Sequence, residues 1–309
     1  MTDPFVTSEL QSQFATEGYA LLSDALPKST LQRWQDIAAV REAEAIKCFE
    51  QGEPMAGACV VEIENAPARL LRYDNVFHTD PEALLDLLAT PALLAVARDI
   101  CGPLAVPMQA DILFKYQHPH SLIAWHQGAP HDRSAPYLNV GIYLDDAPEG
   151  DGCLRYVPRT QHGLEDIAAL TKSHGWEIPG VIEQSAQAGD ILVQDMMILH
   201  GSQPKHSPGA RRTIYVEYRP YDAIIRGDAQ SKHWADLRLA LMGAVLARAN
   251  PADRPKNWET DYPVVTHEEA LELFKEILAF PEPPIPSVYS ERPVEHPAYP
   301  IPEGFELSG

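Results

Sequence analysis

The chain has 309 residues and a mass of 34.2 kDa, with 45% hydrophobic and 22% charged residues, enough for one large globular domain or two small ones. A net charge of −20 and a pI near 4.9 exclude a nucleic-acid polymer as partner and set the chain against an acidic carrier protein or an anionic membrane surface. Cys48, Cys59, Cys101 and Cys153 lack C-x-x-C spacing, the first residues lack a signal-peptide pattern, and no apolar run is long enough to span a bilayer, so a cytoplasmic protein without structural zinc or disulfides is expected.

Thr7 or Ser8 caps a short helical pattern that stops before Gly18, and Tyr19-Ala20-Leu21-Leu22 reads as a strand. Ser29-Thr30 opens a longer helix with Leu31, Trp34, Ile37 and Ala38 on one face, running to about Glu50. Cys59–Ile63 alternates like a strand, Asp80-Pro81 starts a helix over Leu84–Leu88, and Thr90-Pro91 starts another that ends at Cys101-Gly102. From Leu104 the pattern changes. Ala110–Tyr116, Ile123–His126, Tyr137–Leu144, Cys153–Val157, Gly189–Gln194, Met197–His200 and Thr213–Tyr218 are short β-branched or aromatic runs between Gly, Pro, Asp and Ser turns, with one helical insert near Leu164–His174.

That spacing predicts a mainly β protein with helical additions: a double-stranded β-helix, jelly-roll and cupin-like, with N-terminal and C-terminal helices. No dinucleotide or phosphate-loop glycine motif occurs. Residues 1–222 are expected to form the jelly-roll domain and 223–309 a helical extension and proline-rich tail of the same domain. In that extension Trp234–Ala249 carries one apolar stripe, and Thr266 with Glu269 makes a capping box over His267–Phe280. The tail from Pro281 to Pro302 holds Ile285, Val288, Tyr289, Val294, Tyr299 and Ile301, and reads as an extended segment wrapped on the body.

Alternate residues of a strand share a face, so His126 and Gly128 point the same way. A two-histidine-one-carboxylate iron site wants an acid at the second of these positions, and here there is no side chain at all. His200 follows an apolar run after the turn Gly189-Asp190. Arg211 and Thr213 share a face of the next strand and suit a carboxylate, the guanidinium binding bidentately and the hydroxyl adding a donor. Arg212 faces the other way and is read as structural.

His126-x-Gly128, Leu144-Asp145-Asp146, Gly150-x-Gly152-Cys153-Leu154, Val157-Pro158-x-x-x-His162-Gly163, Gly189-Asp190, His200-Gly201-Ser202 and Arg211, in that order, resemble the phytanoyl-CoA dioxygenase family over roughly residues 10–222. The resemblance implies an iron(II)- and 2-oxoglutarate-dependent enzyme. His126 and His200 would ligate iron, and Arg211 with Thr213 would hold the distal carboxylate of 2-oxoglutarate, with Lys115 placed beside them. The family's third ligand is an acid where this chain has Gly128, and that departure resembles the halogenases of the group. It implies chloride in the vacated position and chlorination of an unactivated aliphatic carbon through a chloro-ferryl and radical rebound, with Gly128 as the determining residue. Two alternatives stand beside it: a hydroxylase in which Asp132, Asp145 or Asp146 replaces the acid, and an inactive relative that binds a small molecule.

Pocket residues are expected among Lys115, Gln117, His118, His120, His131, Arg133, Tyr137, Asn139, Arg155 and Arg159, and their local positive charge suggests an anionic substrate. Length and helical extension resemble the freestanding halogenases of nucleoside-antibiotic biosynthesis. They imply a free deoxyadenosine nucleotide such as dAMP as substrate, rather than a carrier-tethered one.

Overall fold

The computed structural model describes residues 5–53, 55–62, 67–74, 76–117, 122–128, 130–131, 133–255, 258–282 and 287–290. In chain order these form α1 (Ser8–Glu17), β1 (Tyr19–Leu22), α2 (Lys28–Glu50), β2 (Ala58–Val61), β3 (Arg69–Tyr73), α3 (Val76–Thr79), α4 (Pro81–Leu88) and α5 (Pro91–Val96), which runs into a π turn over Ala97–Cys101. Then come β4 (Ala105–Lys115), β5 (Ile123–Gln127), β6 (Leu138–Tyr143), β7 (Leu154–Val157), α6 (Ile167–His174), β8 (Ile182–Gln184), β9 (Ile191–Asp195), β10 (Leu199–Ser202) and β11 (Arg211–Pro220). The chain continues through α7 (Tyr221–Gly227), α8 (Lys232–Arg248), α9 (His267–Ala279) and β12 (Val288–Tyr289).

Local chemistry sets the helix ends. The Thr7 hydroxyl accepts the Leu10 N–H at 3.2 Å, and Gly18 closes α1 in the left-handed region at φ 86°. Thr266 and Glu269 form the expected capping box at α9.

The strands pair antiparallel into two sheets, one ordered β1-β9-β6-β11-β4-β3-β2 and the other β12-β5-β10-β7-β8. This is the predicted double-stranded β-helix. Period-two alternation divides the larger sheet. One face presents Ile112, Phe114, Val140, Ile142, Val193, Ile214 and Val216 to a continuous core shared with Trp34 and Ala38 of α2, Leu84 of α4, and Leu241 and Val245 of α8. A buried side chain of this size is worth about 1.5–3 kcal/mol, so burial of Leu241 and Val245 helps hold α8 to the β body. The inner face meets the smaller sheet through Tyr143, Leu154, Tyr156, Leu192 and Ile198. Among the described residues no helix is long and apolar enough to cross a membrane.

Candidate active site

β5 and β10 place the two histidines. His200 pairs directly with His126 across the strands, and the ring centroids lie 4.0 Å apart. Each ring turns its Nδ1 to the carbonyl two residues earlier, His126 to Ala124 at 2.9 Å and His200 to Ile198 at 2.8 Å. A carbonyl only accepts, so Nδ1 carries the proton and Nε2 keeps its lone pair, the tautomer a metal needs. The Gln194 amide nitrogen lies 3.0 Å from the His200 Nε2, while the Tyr156 hydroxyl donates to the Gln194 oxygen, which fixes the amide's orientation. Burial pushes the His126 imidazole down to about 4, and burial with the neighbouring His126 holds His200 well below the ordinary imidazole value, so both rings are neutral at physiological pH.

At the third position of the motif the backbone excludes a side chain. The Gly128 N–H donates to the Met196 carbonyl at 2.6 Å, and a Cβ at residue 128 would stand 2.6 Å from that same oxygen. Glycine is therefore demanded by the close approach of the turn after β9. Among the described residues no group of three or more His, Cys, Asp or Glu side chains converges as a metal site. Asp145 is held by Arg212 at 2.8 Å, Asp146 caps the Ala188 N–H at 2.9 Å, and both belong to the turn after β6. Asp132, the other alternative acid, lies outside the described residues, as do His118 and His120.

Arg211 and Thr213 lie on the inner face of β11 and are almost fully buried. Arg211 gives one N–H to the Gly152 carbonyl at 3.1 Å, yet its Nε and the Thr213 hydroxyl have no partner. Lys115 is Arg211's cross-strand neighbour on β4, buried, and bonded to Ser202. Burial first, then the Arg211 charge, lowers the Lys115 ammonium to about 6. The Arg211 guanidinium with its unpartnered Nε–H, the Thr213 hydroxyl, and a Lys115 amine that an arriving anion would charge form a cradle with donors that a carboxylate would satisfy. The residues thus fit both groups: two metal-ready imidazoles, and a carboxylate grip on the facing sheet.

Residues 14–213 match the profile of the phytanoyl-CoA dioxygenase family, PhyH. The chain belongs to that family. Curated relatives include an L-proline trans-4-hydroxylase from Streptomyces griseoviridis, 29% identical, with 46% of this chain and 64% of the relative covered. A methylphosphonate hydroxylase from Gimesia maris is 28% identical, with 56% and 65% covered. The chain thus spans just under two thirds of the length of these two relatives. Among solved structures, AviO1 from Streptomyces viridochromogenes Tue57 superposes with a TM-score of 0.58 at 26% identity, covering 71% of this chain and 96% of that one. EctD from S. alaskensis, solved with bound Fe, gives a TM-score of 0.58 at 18% identity, covering 72% and 80%, and shows likeness of fold.

The substrate residues nominated from the sequence divide in this PhyH chain. Asn139 is on the inner face, paired with Gln194 and Glu217. Tyr137 and His131 stack with centroids 3.7 Å apart beside Gly128, since the Tyr137 carbonyl accepts the Met196 N–H at 2.8 Å. Arg133 reaches the same turn but is taken by the buried Asp195 at 3.2 and 3.3 Å. Arg155 does not join them. It alternates with the inner residues Leu154 and Tyr156, so it points outward to Glu177 at 3.1 Å and Glu183 at 3.8 Å. Arg159 pairs with Glu17, and Gln117 with the His206 carbonyl. Of the cations offered for an anionic substrate, Arg133, Arg155 and Arg159 are therefore compensated or turned away, and Lys115 belongs to the cradle. Sequence reasoning missed Gln194, Tyr156 and Tyr289, whose ring stacks on His126 at 5.0 Å from β12. It also missed the function of Gln127, whose amide clamps the loop carrying Thr160 and Gly163.

Proposed function

We propose that the chain is an iron(II)- and 2-oxoglutarate-dependent halogenase that places chlorine on an unactivated aliphatic carbon of a free small molecule, a deoxyadenosine nucleotide such as dAMP being the first compound to try. The observation that carries this reading is the donor set. Two neutral imidazoles converge, residue 128 offers no acid, and Asp145 and Asp195 are spent on Arg212 and Arg133. A metal held by His126 and His200 alone keeps a coordination position for an exogenous anion, and chloride also restores the charge an acid ligand would bring. Bound together, iron(II), 2-oxoglutarate and dioxygen supply an oxidant able to take hydrogen from such a carbon.

The chain's own part is placement. Arg211, Thr213 and Lys115 would hold the distal carboxylate of 2-oxoglutarate, and the Tyr156 hydroxyl holds the Gln194 amide against the His200 Nε2, a contact that a metal on that nitrogen would replace. Tyr289 covers His126 and shields that edge from water. Residues 1–222 then act as the oxygenase-type unit and 223–309 as an extension of the same domain, a reading supported by the single core that α8 shares with β4. The net charge of −20 supports a free cytoplasmic substrate over an acidic carrier protein.

The second reading is a hydroxylase. It is favoured by the names of the curated relatives, and it requires a substitute acid ligand. One experiment separates the readings: anaerobic absorbance titration of the apoprotein with iron(II) and 2-oxoglutarate, with and without chloride. A charge-transfer band that shifts with chloride is the expected result. A band indifferent to chloride favours the hydroxylase. No band leaves a small-molecule-binding relative without this chemistry.

A further inference from the structure

Beyond the cofactor cradle, the inner face of the larger sheet is polar. On β11, Tyr215 and Glu217 continue the row of Arg211 and Thr213, while Ile214 and Val216 enter the core. Asp111 on β4 lies opposite Tyr215, Asn139 on β6 lies opposite Glu217, and Arg72 on β3 pairs with Leu113 next along the face. Most of these charges cancel. Arg72 is gripped by Asp74 at 2.5 and 2.8 Å, and Glu217 takes the Arg219 Nη2 at 3.0 Å. Asp111 shares the Arg72 charge with Asp74, and among the described residues its side-chain donor is the Gln109 amide at 3.0 Å, so three acids here face two guanidinium groups. Burial, with Asp74 and Glu217 nearby, raises its carboxyl well above the ordinary carboxylate range. A second observation is independent of the acids. Arg219 is only 2% exposed, lies over the Tyr137 ring, and keeps its Nε without a partner. A carboxyl in excess and a buried donor unused, on the face that carries the cofactor residues, are what a substrate with the opposite pattern would complete.

We propose that the substrate carries an amino group, received by Asp111 with Glu217 near it, and an acceptor atom directed at the Arg219 Nε. This specifies the substrate class of the reading above and rests on it. An aminopurine meets the pattern through its exocyclic amine and ring nitrogens, as does an amino acid through its ammonium and carboxylate. A simple phosphonate does not.

The test uses matched pairs differing only in the amine: dAMP against deoxyinosine monophosphate, and L-proline against tetrahydrofuran-2-carboxylate, with methylphosphonate as the amine-free anion. Substrate-triggered succinate release is measured on the iron- and 2-oxoglutarate-loaded enzyme. Only amino members should trigger release, and Asp111→Asn should raise their KM at least tenfold with little change in kcat. The charge-transfer band should stay intact, and Asp111→Glu should recover part of the loss. An amine-free member that works as well as its partner, or an unchanged KM in Asp111→Asn, overturns the proposal. Where no member triggers release, the melting temperature decides. An acid kept for a ligand can be neutralised without loss, so Asp111→Asn should melt at or above the wild type, and a fall of several degrees overturns the assignment. Failure of the cofactor reading is visible separately, as a missing charge-transfer band in the wild type.

Discussion

His126 and His200 face each other from β5 and β10 with ring centroids 4.0 Å apart, and both are tied through Nδ1 to their own strands. The backbone that builds the sheet therefore also sets the tautomer of both rings, and no additional residue is needed to orient them. With only two side-chain ligands each should be indispensable. Losing an outer hydrogen-bond partner of a metal ligand costs 10–100-fold in affinity, so His200→Ala or His126→Ala should weaken metal binding by more than about 100-fold. Cobalt(II) titration of the apoprotein, followed by its visible absorbance, reads this directly. Wild-type affinity in either variant would remove these residues from the metal site.

Gly128 is constrained by the Met196 carbonyl, 2.6 Å from where a Cβ would stand, and it also stands where the family's acid ligand is expected. A pair of variants separates the two roles. Gly128→Ala adds only the steric load and should cost about 1–3 kcal/mol in urea unfolding as the turn after β9 gives way. Gly128→Asp adds the same load together with a carboxylate. Chlorination should survive at a reduced rate in the Ala variant and vanish in the Asp variant, with hydroxylated product appearing. Undiminished chlorination in Gly128→Asp would sink the idea of a halide position.

Lys115 gives a pH dependence whose sign can be worked out. Its folded pKa, about 6, lies below the model-peptide value near 10.4, so between these values the unfolded chain binds a proton that the folded chain does not. Folding stability therefore gains from this group as pH rises through that window, and Lys115→Met should flatten the slope. A carboxylate arriving beside Lys115 and Arg211 favours the charged amine, so 2-oxoglutarate should bind with proton uptake above pH 6, and more weakly as pH rises. Calorimetry in two buffers of different ionisation enthalpy measures the uptake. Zero uptake across pH 6–9 would place the carboxylate elsewhere.

What the sequence revealed depended on the range of each interaction. The caps at Thr7, Gly18 and Thr266, and the strands carrying His126, His200 and Arg211, rest on local chemistry and period-two alternation. Arg155 was misplaced because all of β7 is buried, Leu154 through Val157, so alternation in polarity no longer marks the inner face. Arg133 read as a free cation because its partner, Asp195, lies 62 residues away. β3 escaped notice because Arg69-Leu70-Leu71-Arg72-Tyr73 does not alternate: Leu70 and Leu71 are both buried. Of the tail read as wrapped on the body, Val288 and Tyr289 do pair with β5, while residues 283–286 and 291–302 lie outside the described residues.

Gln127, the middle residue of the motif, points away from the histidines and carries the last prediction. Its amide nitrogen faces the Met197 carbonyl at 2.7 Å, the Gly163 carbonyl at 2.8 Å and the Thr160 carbonyl at 3.2 Å, and its oxygen accepts the Glu165 N–H at 2.7 Å. Leucine fills similar space but leaves these four buried backbone groups unpaired, at about 1–3 kcal/mol each, so Gln127→Leu should lose at least about 4 kcal/mol in urea unfolding. Gln127→Glu keeps the acceptor for Glu165 but turns a carboxylate toward three carbonyls. Its folded pKa should rise, so this variant should be weakest near neutral pH and regain stability as pH falls through that raised value. Because Met197 follows the residue that closes on Gly128, loosening the clamp should also lower cobalt(II) affinity although Gln127 touches no metal. Full stability in Gln127→Leu would show that the clamp is dispensable. Lost stability with unchanged metal affinity would show that the turn after β9 holds its place without it.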